Sequence, residues 1–377
     1  MADWSHLPSE LLQLISQKLD TVLCLLRFRS VCSTWRSSSI PNHKHKNSSP
    51  LNIPQFPEPN FDPFNIRNII KSKYITSRLI THTIFLIKPP QHQPSLNPWL
   101  IRIGPDFKGK TQLWHPFSSG QNLSSDFNNV LDFNKLSFRV LGCMSYFYLH
   151  HLIGGYQSSF IHCVAAVCRG EQPPVVVTCG EFTHCDINQG MMMFRCGDDS
   201  WTTIPNMSNS HGGNVCVFKG RPCVVDKTGR TFMIGPDLTT HLIAEPVFGG
   251  KSKFLVESSE FELLLVDRYE NYRVPVWIDV FRLDEKEKRW VKLANLGDKV
   301  LFLGNGYSFS ASASELGFAN GNCVIYSKSY GFHDLNIRKC KMSVFHLDQG
   351  QASPLSDYPE YFKLFWPPPE WIAKLCS

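Results

Sequence analysis

The stretch Pro275-Val276-Trp277-Ile278-Asp279-Val280-Phe281-Arg282-Leu283, the charged Asp284 to Lys288, and then Arg289-Trp290-Val291-Lys292-Leu293 decides the fold. Two runs rich in β-branched and aromatic residues flank a short polar turn, which predicts a β-hairpin. The same grammar extends outward in both directions. Phe254-Leu255-Val256-Glu257 leads to Glu262-Leu263-Leu264-Leu265-Val266. Val215-Cys216-Val217-Phe218 turns at Lys219-Gly220 into Pro222-Cys223-Val224-Val225-Asp226, and Thr231-Phe232-Met233-Ile234 follows the turn Lys227 to Arg230. Val175 to Cys179 is one more short apolar run, stopped by Gly180. Short strands with turns at this spacing predict an all-β domain over residues 64–377.

A loose repeat runs through it. Trp290 in Arg289-Trp290-Val291, Trp201 in Ser200-Trp201-Thr202-Thr203 and, more weakly, Trp114 in Leu113-Trp114-His115 each follow a polar turn. Repeats built of four strands point to a propeller. About 310 residues at ~45 per blade predict six or seven blades.

The chain has 377 residues, more than one hydrophobic core normally serves, so two domains or one closed repeat are expected. With 42% hydrophobic and 19% charged residues, disorder over most of its length is excluded. The most apolar window, Tyr74 to Ile87, carries Arg78 and His82, so no membrane span is expected. The first residues hold Asp3 and Pro8 where an export signal needs a basic start and an apolar run, which places the chain in the nucleus or cytoplasm. Thirteen cysteines then read as reduced strand filling; Cys163, Cys168, Cys179, Cys185 and Cys196 lack the tight knuckle spacing of a metal site, and no metal is expected. Residues 1–120 hold 14 Lys and Arg against 6 Asp and Glu, but only Lys44-His45-Lys46 cluster, so no nucleic-acid partner is expected.

Residues 1–40 read differently. Leu7-Pro8-Ser9-Glu10 opens a helix, with the proline placed in the first turn and Glu10 at the positive end of the dipole. Leu11, Ile15 and Leu19 form a stripe at four-residue spacing, with Leu12 beside it. Val22 to Leu26 predicts a second helix, and Phe28, Val31, Cys32 and Trp35 a third running through Arg29 to Arg36. So small a head cannot bury all these apolar side chains by itself and calls for a partner surface. Residues 41–63 hold six prolines and read as an extended linker that separates the head from the strands.

One motif suggests chemistry. Gly104-Pro105-Asp106-Phe107-Lys108-Gly109-Lys110-Thr111 fits the phosphate-loop pattern, which would place Lys110 on a nucleotide. That motif needs a helix after it; Thr111 to Gly120 has Pro116 and no helical stripe, so a hairpin turn is expected instead. No metalloprotease, nucleophile-elbow or dinucleotide fingerprint occurs, and neither a catalytic constellation nor a cofactor is expected.

The head resembles an F-box, through Trp4-Ser5, Leu7-Pro8, Glu10-Leu11-Leu12, Ile15, Leu19, Leu25-Leu26-Arg27-Phe28-Arg29-Ser30-Val31-Cys32 and Trp35-Arg36, with Cys24 where the family usually has an acid. The remainder resembles the kinase-interacting-bulb-type β-propeller of plant F-box proteins. Phe254 to Ser258, Val280 to Asp284, Leu296 to Asn305, Ser308 to Ser312, Gly321 to Tyr326 and Trp366 to Trp371 carry that likeness. The resemblance implies a small all-α F-box head followed by an all-β propeller. It implies a non-catalytic, substrate-recognition subunit of an SCF-type ubiquitin ligase, with the SCF adaptor protein, a cullin behind it and an unknown target protein as partners. Leu7, Pro8, Leu11, Ile15, Leu19, Leu25, Leu26, Val31, Cys32 and Trp35 would divide between head core and adaptor interface, with Trp35 and the leucine pair as its hot spots. Two other readings stay open: a propeller that sequesters a partner outside any ligase, and a nucleotide hydrolase using Lys110.

Overall fold

The computed structural model describes residues 7–19, 22–39, 54, 73–93, 95–106, 109–117, 123, 131–153, 156–168, 174–179, 191–207, 213–258, 260–271, 274–304, 307–327 and 342–376. Three helices come first, α1 (Ser9–Gln17), α2 (Val22–Arg29) and α3 (Ser33–Ser38). Strands follow in sheets. Blade 1 is β1 (Lys73–Lys88), β2 (Trp99–Pro105), β3 (Thr111–Trp114) and β4 (Ser137–Ile153), in the order β3-β2-β1-β4. Blade 2 is β5 (Tyr156–Cys168), β6 (Val175–Cys179), β7 (Met192–Arg195) and β8 (Thr202–Thr203); β5 pairs with β4, so blades 1 and 2 share one eight-stranded sheet. Blade 3 is β9 (Asn214–Phe218), β10 (Arg221–Val225), β11 (Thr231–Ile234) and β12 (Thr240–Ala244). Blade 4 is β13 (Ser252–Glu257), β14 (Leu263–Asn271), β15 (Val274–Asp284) and β16 (Arg289–Leu293).

Blade 5 departs from this plan. Its strands β17 (Lys299–Leu303), β18 (Ser308–Ser312), β19 (Cys323–Ser327), β20 (Met342–His346) and β21 (Gln351–Pro354) run in the order β18-β17-β19-β20-β21. β17 and β19 are parallel, and the crossover between β18 and β19 carries the short α4 (Ala313–Leu316).

The inner strands close a ring. β5 lies against β9, β9 against β13, β13 against β18, β18 against β4, and β4 pairs with β5. Polar side chains stitch it: Asn214 Oδ1 accepts the Leu255 N–H at 3.1 Å, and Ser310 Oγ donates to Glu257 O at 3.1 Å. The domain is therefore a propeller, of five blades among the described residues rather than the six or seven expected. Dividing the length by a standard blade fails because β1, β4 and β5 run 16, 17 and 13 residues. The end of the chain also leaves the sheets altogether, for the helices α5 (Pro359–Phe362) and α6 (Glu370–Cys376), where only propeller was expected.

Period-2 alternation builds the core. In blade 4, Leu264, Val266, Ile278 and Val280 face Leu301, Val324 and Phe345 of blade 5. The alternate residues Leu265, Phe281 and Leu283 face Phe218, Cys223 and Val225 of blade 3. The tryptophan repeat marks outermost strands: Trp114 ends β3, Trp201 directly precedes β8 and Trp290 lies in β16. Trp290 Nε1 donates 3.0 Å to Gly229 O in the preceding blade. That turn needs glycine: φ is 87° there, and a Cβ would sit 2.8 Å from Val247 N.

Two buried histidines make the fold sensitive to acid. His82 Nε2 donates to Pro105 O at 2.9 Å, and His115 Nδ1 accepts the Phe117 N–H at 3.2 Å. Burial first, and then the Arg102 charge, push both imidazoles down to about 3 from an ordinary 6.5. Between those values the unfolded chain binds protons that the folded chain refuses. Their contribution to stability is complete above pH 6.5 and falls as pH drops toward 3, by about 1.4 kcal/mol per pH unit for each histidine. Urea midpoints between pH 7 and pH 5 are expected to fall less steeply in a His82→Gln, His115→Gln chain than in the unaltered one. Equal slopes would show that these groups are not the source.

Candidate functional site on the helical head

The head is built around Leu12, which is fully buried, and Phe28, whose ring meets that of Trp35 at 4.5 Å. α3 packs against both α1 and α2. Arg29 ties the far end by donating to Ser39 O, while Arg36 Nε returns a bond to Arg29 O at 3.2 Å. Pro8 caps α1 from outside rather than sitting in its first turn. The expected third helix through Arg29 to Arg36 is broken at residues 30–32, where Ser30 Oγ folds back on Leu26 O at 2.9 Å.

The ten expected site residues divide sharply. Leu11, Ile15 and Val31 are 48%, 41% and 49% exposed, and Pro8 is exposed beside them in sequence. Leu7, Leu19, Leu25, Cys32 and Trp35 are half-buried. Leu26 is buried. It lies in one apolar cluster with Phe85, Trp99 and Phe133 of the propeller and Trp371 and Ile372 of α6. Its burial partners are therefore inside the chain, and the leucine pair does not act as one exposed anchor. Sequence reading missed Leu14, 57% exposed; with Leu11 and Ile15 it completes an i, i+3, i+4 face that a four-residue stripe alone leaves out. Three large apolar side chains on one turn of a short helix are thus left in water, the kind of exposed patch that marks a candidate docking face.

The head sits at one end of the ring. β9, β13 and β18 run the same way, since Lys219 N–H reaches Glu257 Oε1 and Ser310 reaches Glu257. Glu315, just beyond the end of β18, pairs with Lys88 at 3.0 Å and with Arg139, so the end of β1 and the start of β4 lie there too. α2 packs at that end, beside residues 131–136. The loops that precede β13 lie at the opposite end, where Phe248 is exposed.

The phosphate-loop match is the β2–β3 hairpin. Pro105 pairs with Thr111, and the Asp106 carboxylate accepts the Lys110 N–H at 2.8 Å, where a phosphate-binding loop offers its amides to ligand. No helix follows; β3 does. Among the described residues no group of three or more His, Cys, Asp or Glu is placed to hold a metal, and no helix is long and apolar enough to cross a membrane. Cys223 and Cys323 are buried in strands, Cys196 is half-buried, and Cys143 is exposed. His184 and Cys185, the side chains of Cys163, Cys168 and Cys179, and all of the 41–63 linker except Pro54 lie outside the described residues. Pro54 O accepts the Trp201 Nε1–H at 3.1 Å.

Comparison with known proteins agrees with this division. The F-box domain family matches residues 4–45, and the KIB1-4 beta-propeller family matches residues 74–346. F-box protein SKIP23 of Arabidopsis thaliana is 34% identical over 99% of this chain and 96% of its own. F-box protein At2g17036 of the same plant is 31% identical over 99% and 95%. With head, propeller and full-length relatives in agreement, the chain belongs to the F-box proteins that carry a KIB1-4 beta-propeller.

Proposed function

We propose that this chain is the substrate-recognition subunit of an SCF-type ubiquitin ligase, docking an Skp1-type adaptor through its head and holding a target protein on its propeller. The observation that carries it is the exposed face of Leu11, Leu14 and Ile15, in a domain of the type that binds such adaptors. The chain then makes and breaks no bond itself. Its work is positional: adaptor and cullin bring the ubiquitin-loaded enzyme, and the propeller raises the target's local concentration beside it. The hairpin at Asp106 and Lys110 takes no part.

The test is reconstitution of the full chain with an Skp1-type adaptor and a cullin. A stoichiometric complex on gel filtration supports the reading. A chain that elutes apart from the adaptor at micromolar concentration overturns it. A complex that forms with adaptor and never accepts cullin would instead favour the sequestering role.

A further inference from the structure

We propose that head and propeller form one rigid unit, locked by α2 against blade 1 and α6, so that the mechanical joint is this interface and not the proline-rich linker of residues 41–63. Its apolar part is Leu26, packed with Phe85, Trp99, Phe133, Trp371 and Ile372. Leu23 and Leu375 flank it. Apolar contact alone tolerates sliding; the polar bonds here do not.

The last four carbonyls of a helix have no partner within it. At the end of α2, the propeller supplies one: Asn134 Nδ2 donates to Arg27 O at 3.0 Å. Ser30 Oγ donates to Leu26 O at 2.9 Å and accepts the Phe133 N–H at 3.0 Å, so one hydroxyl closes the helix and satisfies a propeller amide. α6 is itself pinned, with Trp371 Nε1 donating to Asn97 O at 3.0 Å. Each bond has a directional geometry, and together they set one orientation of the head. The interface consumes α2 and α6 and leaves Leu11, Leu14 and Ile15 in water. If the head docks an adaptor as proposed above, a target on the propeller is then held at a fixed position relative to the ligase.

The experiment needs no adaptor. A protease recognition site is inserted in the 41–53 segment of the full chain, the purified protein is cut, and the fragments are run on gel filtration at micromolar concentration. The head fragment is expected to stay with the propeller, and Leu26→Asp to release it. Should the Leu26→Asp chain not fold, Ser30→Ala with Asn134→Ala removes only the polar ties and is expected to lower the retained fraction several-fold. The proposal is overturned if the unaltered head leaves the propeller on cutting, or if neither variant changes its retention. Adaptor binding, measured separately on the uncut chain, reports on the ligase reading alone.

Discussion

A chain carrying Asp267→Ala is expected to lose about 3–5 kcal/mol of stability, the cost of stranding a buried charge. Lys253 on β13 and Asp267 on β14 stand directly opposite each other, with Nζ and Oδ1 2.6 Å apart and both side chains 0% exposed. Asp267 Oδ2 also accepts the Gly250 N–H at 3.0 Å, which fixes the loop between blades 3 and 4. Across the next register pair lies Asp279, held by Trp277 Nε1 at 2.9 Å and Lys292 Nζ at 2.9 Å. Two carboxylates directly opposed are tolerable only because each has its own cation. The field they leave is visible at Tyr269, whose hydroxyl is pushed up to about 12 by burial and by Asp267 and Asp279. Removing Asp267 leaves Lys253 in a dry site without its ion-pair partner. Replacing both, as Lys253→Met with Asp267→Leu, removes the desolvation cost along with the pair and is expected to come back within about 1–2 kcal/mol of the original. Urea midpoints at constant m-value decide it. A single variant that loses under about 1 kcal/mol would show that Lys253 finds another partner.

The second large effect is on binding. Leu11→Asp with Ile15→Asp is expected to weaken adaptor affinity by at least ~1000-fold, since two anchor residues at about 2 kcal/mol each are replaced by carboxylates that must desolvate. Both positions face water on α1, so the free energy of unfolding should change by less than about 1 kcal/mol. That separation of effects is what the structure adds. Aspartates at Leu25 and Leu26 would weaken binding too, but through the head–propeller cluster that Leu26 occupies. Calorimetry with purified adaptor gives the affinity; undiminished binding by the Leu11, Ile15 pair would place the adaptor elsewhere.

Much of the fold was legible along the chain. The β9–β10 hairpin follows from Lys219-Gly220, which take φ of 49° and 76° as a two-residue turn requires. The hairpin of β15 and β16 and the tryptophans of the outer strands were equally readable, because turn chemistry and period-2 alternation act over a few residues. So was the rejection of the phosphate loop, since a missing helix is a local fact. The head was legible as helices, and so was its excess of apolar side chains over what so small a domain can bury.

What the chain order concealed was where each of those side chains packs. Leu26 and Leu11 look alike in sequence, yet one packs against Trp371, 345 positions away, and the other meets water. The blade count was hidden for the same reason: nothing local announces that β4 and β5 join two blades into one sheet, or that the last helices abandon the ring. Sequence by itself determined the elements and the family likeness, because propensity, turns and motif spacing are short-range. Only tertiary structure decided which apolar faces are spent inside the chain and which are left in water, because burial is a property of contacts between distant segments.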